Sequence, residues 1–160
     1  MFREMRRFKQ QITTEECKKV LKEEKRAAFS VIGDDGYPYT IPINFYYDEA
    51  DNIIYFHGAK SGHKIDAIKN NPKVSISIID QEDVIEEELT TYFRSIILFG
   101  KAKILQDDDE IYQAVNALGL KYCDDEIAVE KEIQREWKAL CCVEIIIEHL
   151  TGKQAIELVK

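Results

Sequence analysis

The sequence is short of several things, and each absence excludes a class of protein. No charge-free apolar run approaches the roughly 20 residues needed to cross a bilayer, so no membrane partner is expected. Its basic N-terminal stretch, MFREMRRFKQQ, has no apolar segment behind it and does not read as a secretory signal; a cytoplasmic address is expected. Positive charge is in deficit: 22 Lys and Arg stand against 30 Asp and Glu, a net charge of -8. A uniformly acidic surface repels phosphate backbones, so no nucleic-acid partner is expected and any anion site must be local. The four cysteines, Cys17, Cys123, Cys141 and Cys142, show no CxxC spacing and no zinc pattern, and residues 82–88 are acidic without metal-ligand spacing. The cysteines read as reduced, packing as small hydrophobes. No GxGxxG fingerprint is present, so a nicotinamide would be a transient partner only. Repeats and low-complexity segments are missing too.

What is present fits one globular domain covering residues 1–160: the length suits a single domain, and a hydrophobic fraction of 45% is enough for a core. Thr13 with Glu16 is a capping-box pattern opening a helix through about Glu24. Ala27–Ile32 and Tyr37–Tyr47, joined by Asp34-Asp35-Gly36, read as a hairpin. Pro42 places its strand at an edge or bend, because proline cannot donate to a ladder. Ile53–His57 and Lys73–Asp80 read as strands, and Gln81–Thr90 as an exposed loop. A long strand, Tyr92–Leu105, contains Gly100, a bulge or corner signal. Asp107 with Glu110 opens a helix to about Tyr122, and a second helical stretch runs to about Trp137 before a last strand at Leu140–Ile147. Cys141 and Cys142 should then face opposite ways. Six or so short strands in hairpins predict a mainly β fold with flanking helices, an antiparallel split β-barrel; the alternating βαβ rhythm of a doubly wound fold is missing.

The segment HGAKSGHKIDAIKNNP, His57–Pro72, carries the sharpest chemistry. A strand ends here, the chain passes Gly58 and Gly62, and a helix from His63 stops at Asn70-Asn71-Pro72. Ser61 is placed to cap it. The unpaired amides of a helix start cradle anions. Lys64 in the first turn opposes the helix dipole unless an anion compensates it. Lys60 and His63 add donors. The stretch reads either as a phosphate cup or as an ordinary basic turn, and it is not a Walker A loop.

Several segments occur together in one order: Met5–Leu21, YPYTIPINFYY, Ile54–Ile78, Ser95–Glu110 and the LTGK at Leu150–Lys153. In this combination the chain resembles the nitroimidazole-resistance branch of the pyridoxamine 5'-phosphate oxidase-like flavoproteins. The resemblance implies a split-barrel homodimer with one flavin mononucleotide (FMN) in each of two clefts between subunits. It implies that Lys64, with Gly62 and His63, holds the phosphate, that Gly58 is a further cofactor-binding residue, and that the backbone near Ile43 and Asn44 lies along the ring. By the same resemblance Ser95 contacts the ring's polar edge, and His57 matches a histidine beside the flavin, the candidate catalytic residue. The closing segment EHLTGKQAIELVK lacks the Arg/His signature of the oxidase proper, so oxidation of vitamin B6 phosphate is not implied. The implied reaction is reduction of a small acceptor such as a nitroimidazole, with a reduced nicotinamide as possible donor. The alternative is a flavin- or haem-binding sensor or carrier without turnover of its own.

Overall fold

The computed structural model describes all 160 residues. Eight strands are present rather than six: β1 (Gln11–Ile12), β2 (Arg26–Ile32), β3 (Pro38–Asn44), β4 (Tyr46–Asp48), β5 (Ile53–Ala59), β6 (Lys73–Ile85), β7 (Thr90–Ile104) and β8 (Leu140–Gln154). Four helices accompany them: α1 (Thr14–Glu23), α2 (His63–Asn70), α3 (Asp108–Tyr122) and α4 (Glu126–Glu136). All pairings are antiparallel, in the order β3-β2-β6-β7-β8-β5-β4, with β1 added along the far end of β8.

One residue dictates the shape. Strands β3 and β4 stand at opposite ends of that order, yet only Phe45 separates them in the chain. The sheet must therefore curl until its two edges meet at Phe45, without pairing there. This is an unclosed, split barrel. The seam is fastened from α3: the Phe45 amide donates to the Tyr122 hydroxyl at 3.0 Å, and Lys121 Nζ donates to the carbonyls of Phe45 and Glu24. That ammonium also lies 3.9 Å from the centre of the Phe45 ring.

Alternation fills the interior. Phe29 and Phe56 meet there with ring centroids 4.9 Å apart, among Ile54, Ile76, Ile78 and Leu98. Helix α1 contributes Cys17, Val20 and Leu21 to this core, and its Thr13–Glu16 capping box forms as the sequence predicts. Cys141 belongs to the barrel core, while Cys142 faces a second, smaller core under α3 and α4 with Val115, Val129 and Leu140. Their opposite orientations follow from the two-residue strand period.

Two expectations need correction. The acidic stretch after Asp80 is no loop: β6 continues to Ile85, a single 3-10 turn spans Glu86–Glu88, and β7 resumes at Thr90. Its acids lie on a two-stranded ribbon, where backbone pairing holds the register and the side chains reach water. A bulge at the base of the ribbon turns Asp80 inward, where Arg94 Nε donates to it at 2.8 Å. The last strand runs seven residues beyond the expected Ile147, to Gln154. As predicted, Pro42 sits on an outermost strand, opposite Ala28, and the pairing of β7 with β8 slips at Gly100. A Cβ on Gly100 would stand 2.4 Å from the Ile146 carbonyl oxygen, so only glycine fits.

Candidate functional site

Strand β5 delivers the site. Ile54 and Phe56 point into the barrel and are fully buried, so Tyr55 and His57 face outward, toward α3 and α4. The strand ends at Ala59, and Gly62 adopts φ 130°, a region side-chain-bearing residues avoid, to turn the chain into α2. Gly62 is itself the N-cap. Ser61 makes no capping bond, because the glycine rather than a hydroxyl sets the helix entry. The first amides of α2 are therefore left without a side-chain acceptor.

Lys64 folds back over the strand. Its Nζ stands 3.1 Å from where a Cβ on Gly58 would be, and it makes no ion pair. The absent Gly58 side chain leaves the space that Lys64 fills. An unpaired cation beside open helix amides is a seat for an anion.

His63 is held differently. Its Nε2 accepts from the Asp34 amide at 3.3 Å and lies 3.8 Å from the Asp34 carboxylate. The ring stacks on Tyr39 at 4.1 Å. His63 thus docks α2 onto the β2–β3 hairpin.

His57 lines a cleft of about 430 Å³ together with Asn44, Leu118, Tyr122, Glu132 and Glu136. Packing around the imidazole holds its pKa below the ordinary value; the Lys64 ammonium pushes the same way, and Glu136 and Glu132 oppose it. Asn44 is exposed at the end of β3, whereas the Ile43 side chain is buried in the barrel core. Only the backbone of Ile43 can serve a ligand. Since β3 pairs with β2 alone, alternate backbone groups along its outer edge have no strand to bond.

The structure therefore brings His57, Gly58, Gly62, His63, Lys64 and Asn44 together. It does not bring Ser95. Ser95 pairs with Lys153 on β8, whereas Gly58 pairs with Cys141, twelve residues away on the same strand. That is roughly 40 Å of extended chain at about 3.3 Å per residue. Sequence reasoning missed Tyr39, Glu132 and Glu136. No local pattern could reveal them, because α4 is brought to β5 by the pairing of β8 with β5, and Tyr39 meets His63 only when α2 docks on the β2–β3 hairpin.

The chain matches a family model described as pyridoxamine 5'-phosphate oxidase over residues 13–154. Solved structures share the fold at low identity. A proposed 5-nitroimidazole antibiotic resistance protein from Bacteroides thetaiotaomicron superposes with a TM-score of 0.73 at 20% identity, covering 90% of this chain and 86% of that one. An FAD-binding protein from Mesorhizobium loti gives 0.65 at 21% identity, covering 91% and 96%. A flavocytochrome from Azotobacter vinelandii gives 0.76 at 17% identity, covering 95% and 72%. No curated protein matches the sequence.

Proposed function

This chain belongs to the pyridoxamine 5'-phosphate oxidase family, and from that premise we propose that it is an FMN-binding flavoprotein that reduces a small acceptor. The observation that carries the reading is Lys64: an unpaired ammonium lying on Gly58, at the open N-terminus of α2. In this reading the FMN phosphate takes the α2 amides and Lys64, and the ring runs along β3 toward Asn44 and His57. His63 fixes the helix that presents those amides and need not touch the phosphate itself. Names of similar structures that mention FAD and 5-nitroimidazole resistance support the flavin class and a nitroaromatic acceptor.

The proposal includes a homodimer. Ala28 and Ile32 on β2, Ser75, Ser77 and Ile79 on β6, and Ile97 on β7 face outward as an uncharged strip, bounded on the same face by Arg26, Lys73 and Lys101. Such a surface suits a second copy. It also accounts for Ser95, which would reach a given ring from the second chain, while Lys64 and His57 belong to the first.

Bound flavin would supply electron transfer to the acceptor; the chain supplies position and protons. The cleft beside His57 admits a flat acceptor between β5 and the α3–α4 pair. The imidazole, kept neutral by its packing and by Lys64, holds a proton on one nitrogen and presents a lone pair on the other. It can thus hydrogen-bond an acceptor and relay a proton to it, taking one from water at the free nitrogen as it gives up the other. A reduced nicotinamide is the proposed donor, visiting in transit.

The test is a visible spectrum of the purified protein, followed by FMN titration and mass identification of whatever is released on denaturation. A flavin spectrum with nicotinamide-dependent reduction of a nitroimidazole is expected. A colourless protein that takes up no added FMN overturns the reading, and a flavoprotein that reduces no acceptor overturns the activity alone.

A further inference from the structure

A second cavity, of about 500 Å³, lies between α2, the end of β7, the start of α3 and the turn from α4 to β8. Its volume falls in the range of small-molecule sites. The floor is apolar, built from the buried Ile65, Leu105, Leu140 and Cys141. Around the rim stand Lys60, Lys69 and Lys138 against a single carboxylate, Asp108. None of the three lysines makes an ion pair, although the chain carries eight more acids than bases. Three unpaired cations converging on one concavity focus a positive potential there. Its reach extends to the floor: burial raises the Cys141 thiol pKa, and Lys69, Lys60 and Lys64 pull against it. Trp137, half-buried at the end of α4, forms one wall.

We propose that this cavity is a second binding site, taking a small anion with an aromatic or aliphatic body, such as an aryl carboxylate or phosphate ester. The rim lysines meet the charge, and the floor and Trp137 take the apolar part. A bare inorganic anion leaves the floor unused, and a neutral ring leaves the lysines unpaired. The site is separate from the flavin seat. Neither Lys64 nor His57 lines this cavity, although Gly58, on which Lys64 lies, pairs with Cys141 of its floor.

The test uses the only tryptophan in the chain, Trp137, as the reporter. Phenyl phosphate is titrated into FMN-saturated protein, with inorganic phosphate and phenol as controls, followed by tryptophan emission and calorimetry. Saturable binding is expected, with each control about tenfold weaker or more and the flavin absorbance unchanged. The Lys69→Gln/Lys138→Gln variant should bind phenyl phosphate about tenfold less tightly or worse, and FMN as before. Absence of saturation, equal binding by phenol, unchanged affinity in the variant, or displacement of FMN by phenyl phosphate would each overturn the proposal. The titration runs equally on protein without flavin, so the failure of the flavin reading would not decide this one.

Discussion

The Lys64 ammonium occupies the space a side chain on Gly58 would need: Nζ stands 3.1 Å from the position of that absent Cβ. Strand end and helix start are thereby coupled. If the phosphate is seated here, Lys64→Ala should weaken FMN by about 1.5–3 kcal/mol, roughly ten- to a hundredfold, the worth of a hydrogen bond to a charged group. Gly58→Ala should weaken it by less, because the flexible lysine tip can move aside. Flavin fluorescence titration reads both. Unchanged affinity in Lys64→Ala removes the phosphate from this position.

His57 gives a dependence on pH. Its pKa in the folded chain lies below the ordinary 6.5, through packing first and Lys64 second. In that window the unfolded chain binds more protons than the folded one, so stability falls as pH drops through the histidine range. His57→Gln should therefore lose less stability than the parent between about pH 7.5 and about pH 5, measured by urea midpoints. Lys64→Gln should raise the His57 pKa and Glu136→Gln should lower it, both followed by NMR titration of the ring. Shifts of the opposite sign would mean that these charges do not face the imidazole.

The uncharged strip on the outer face predicts an obligate pair. Ile79 and Ile97 are 55% and 46% exposed in the single chain. Replacing both with Asp should give a monomer in sizing experiments, with FMN affinity lost at the same time. A monomer that still holds FMN tightly would show that one chain suffices for the cleft.

Lys121 tests the seam. Burial holds its pKa down to about 8, so it remains charged at neutral pH while donating to two backbone carbonyls. Lys121→Met keeps the length and removes the donor. A loss of about 1–3 kcal/mol is expected from the abandoned carbonyls, read as a lower urea midpoint at constant slope. No change would mean that water or the Tyr122 hydroxyl satisfies them.

Much of this architecture was legible from local chemistry. Thr13 with Glu16, and Asp107 before Asp108, announce their helices by capping, and Asn71-Pro72 stops α2. Cys141 and Cys142 separate to two cores by strand period alone, and Gly100 marks the bend. The β6–β7 ribbon was not legible, because its pairing rests on backbone bonds beneath acids that carry no apolar alternation. Nor was the approach of Glu136 to His57, 79 residues earlier in the chain, which exists only once β8 pairs with β5. Ser61 misled because Gly62, with its positive φ, took the cap position.

Lys64 and Ser95 lie at opposite ends of β8's reach, and if each flavin draws on both, it draws them from different chains. Two crippled variants, one altered at Lys64 and the other at Ser95, could then rescue one another. Co-refolded, a mixed pair gathers both lesions in one pocket and leaves its twin whole. Activity returning on mixing two inactive preparations, to about half that of the parent per mixed pair, would be the signature of a pocket shared across the two-fold axis.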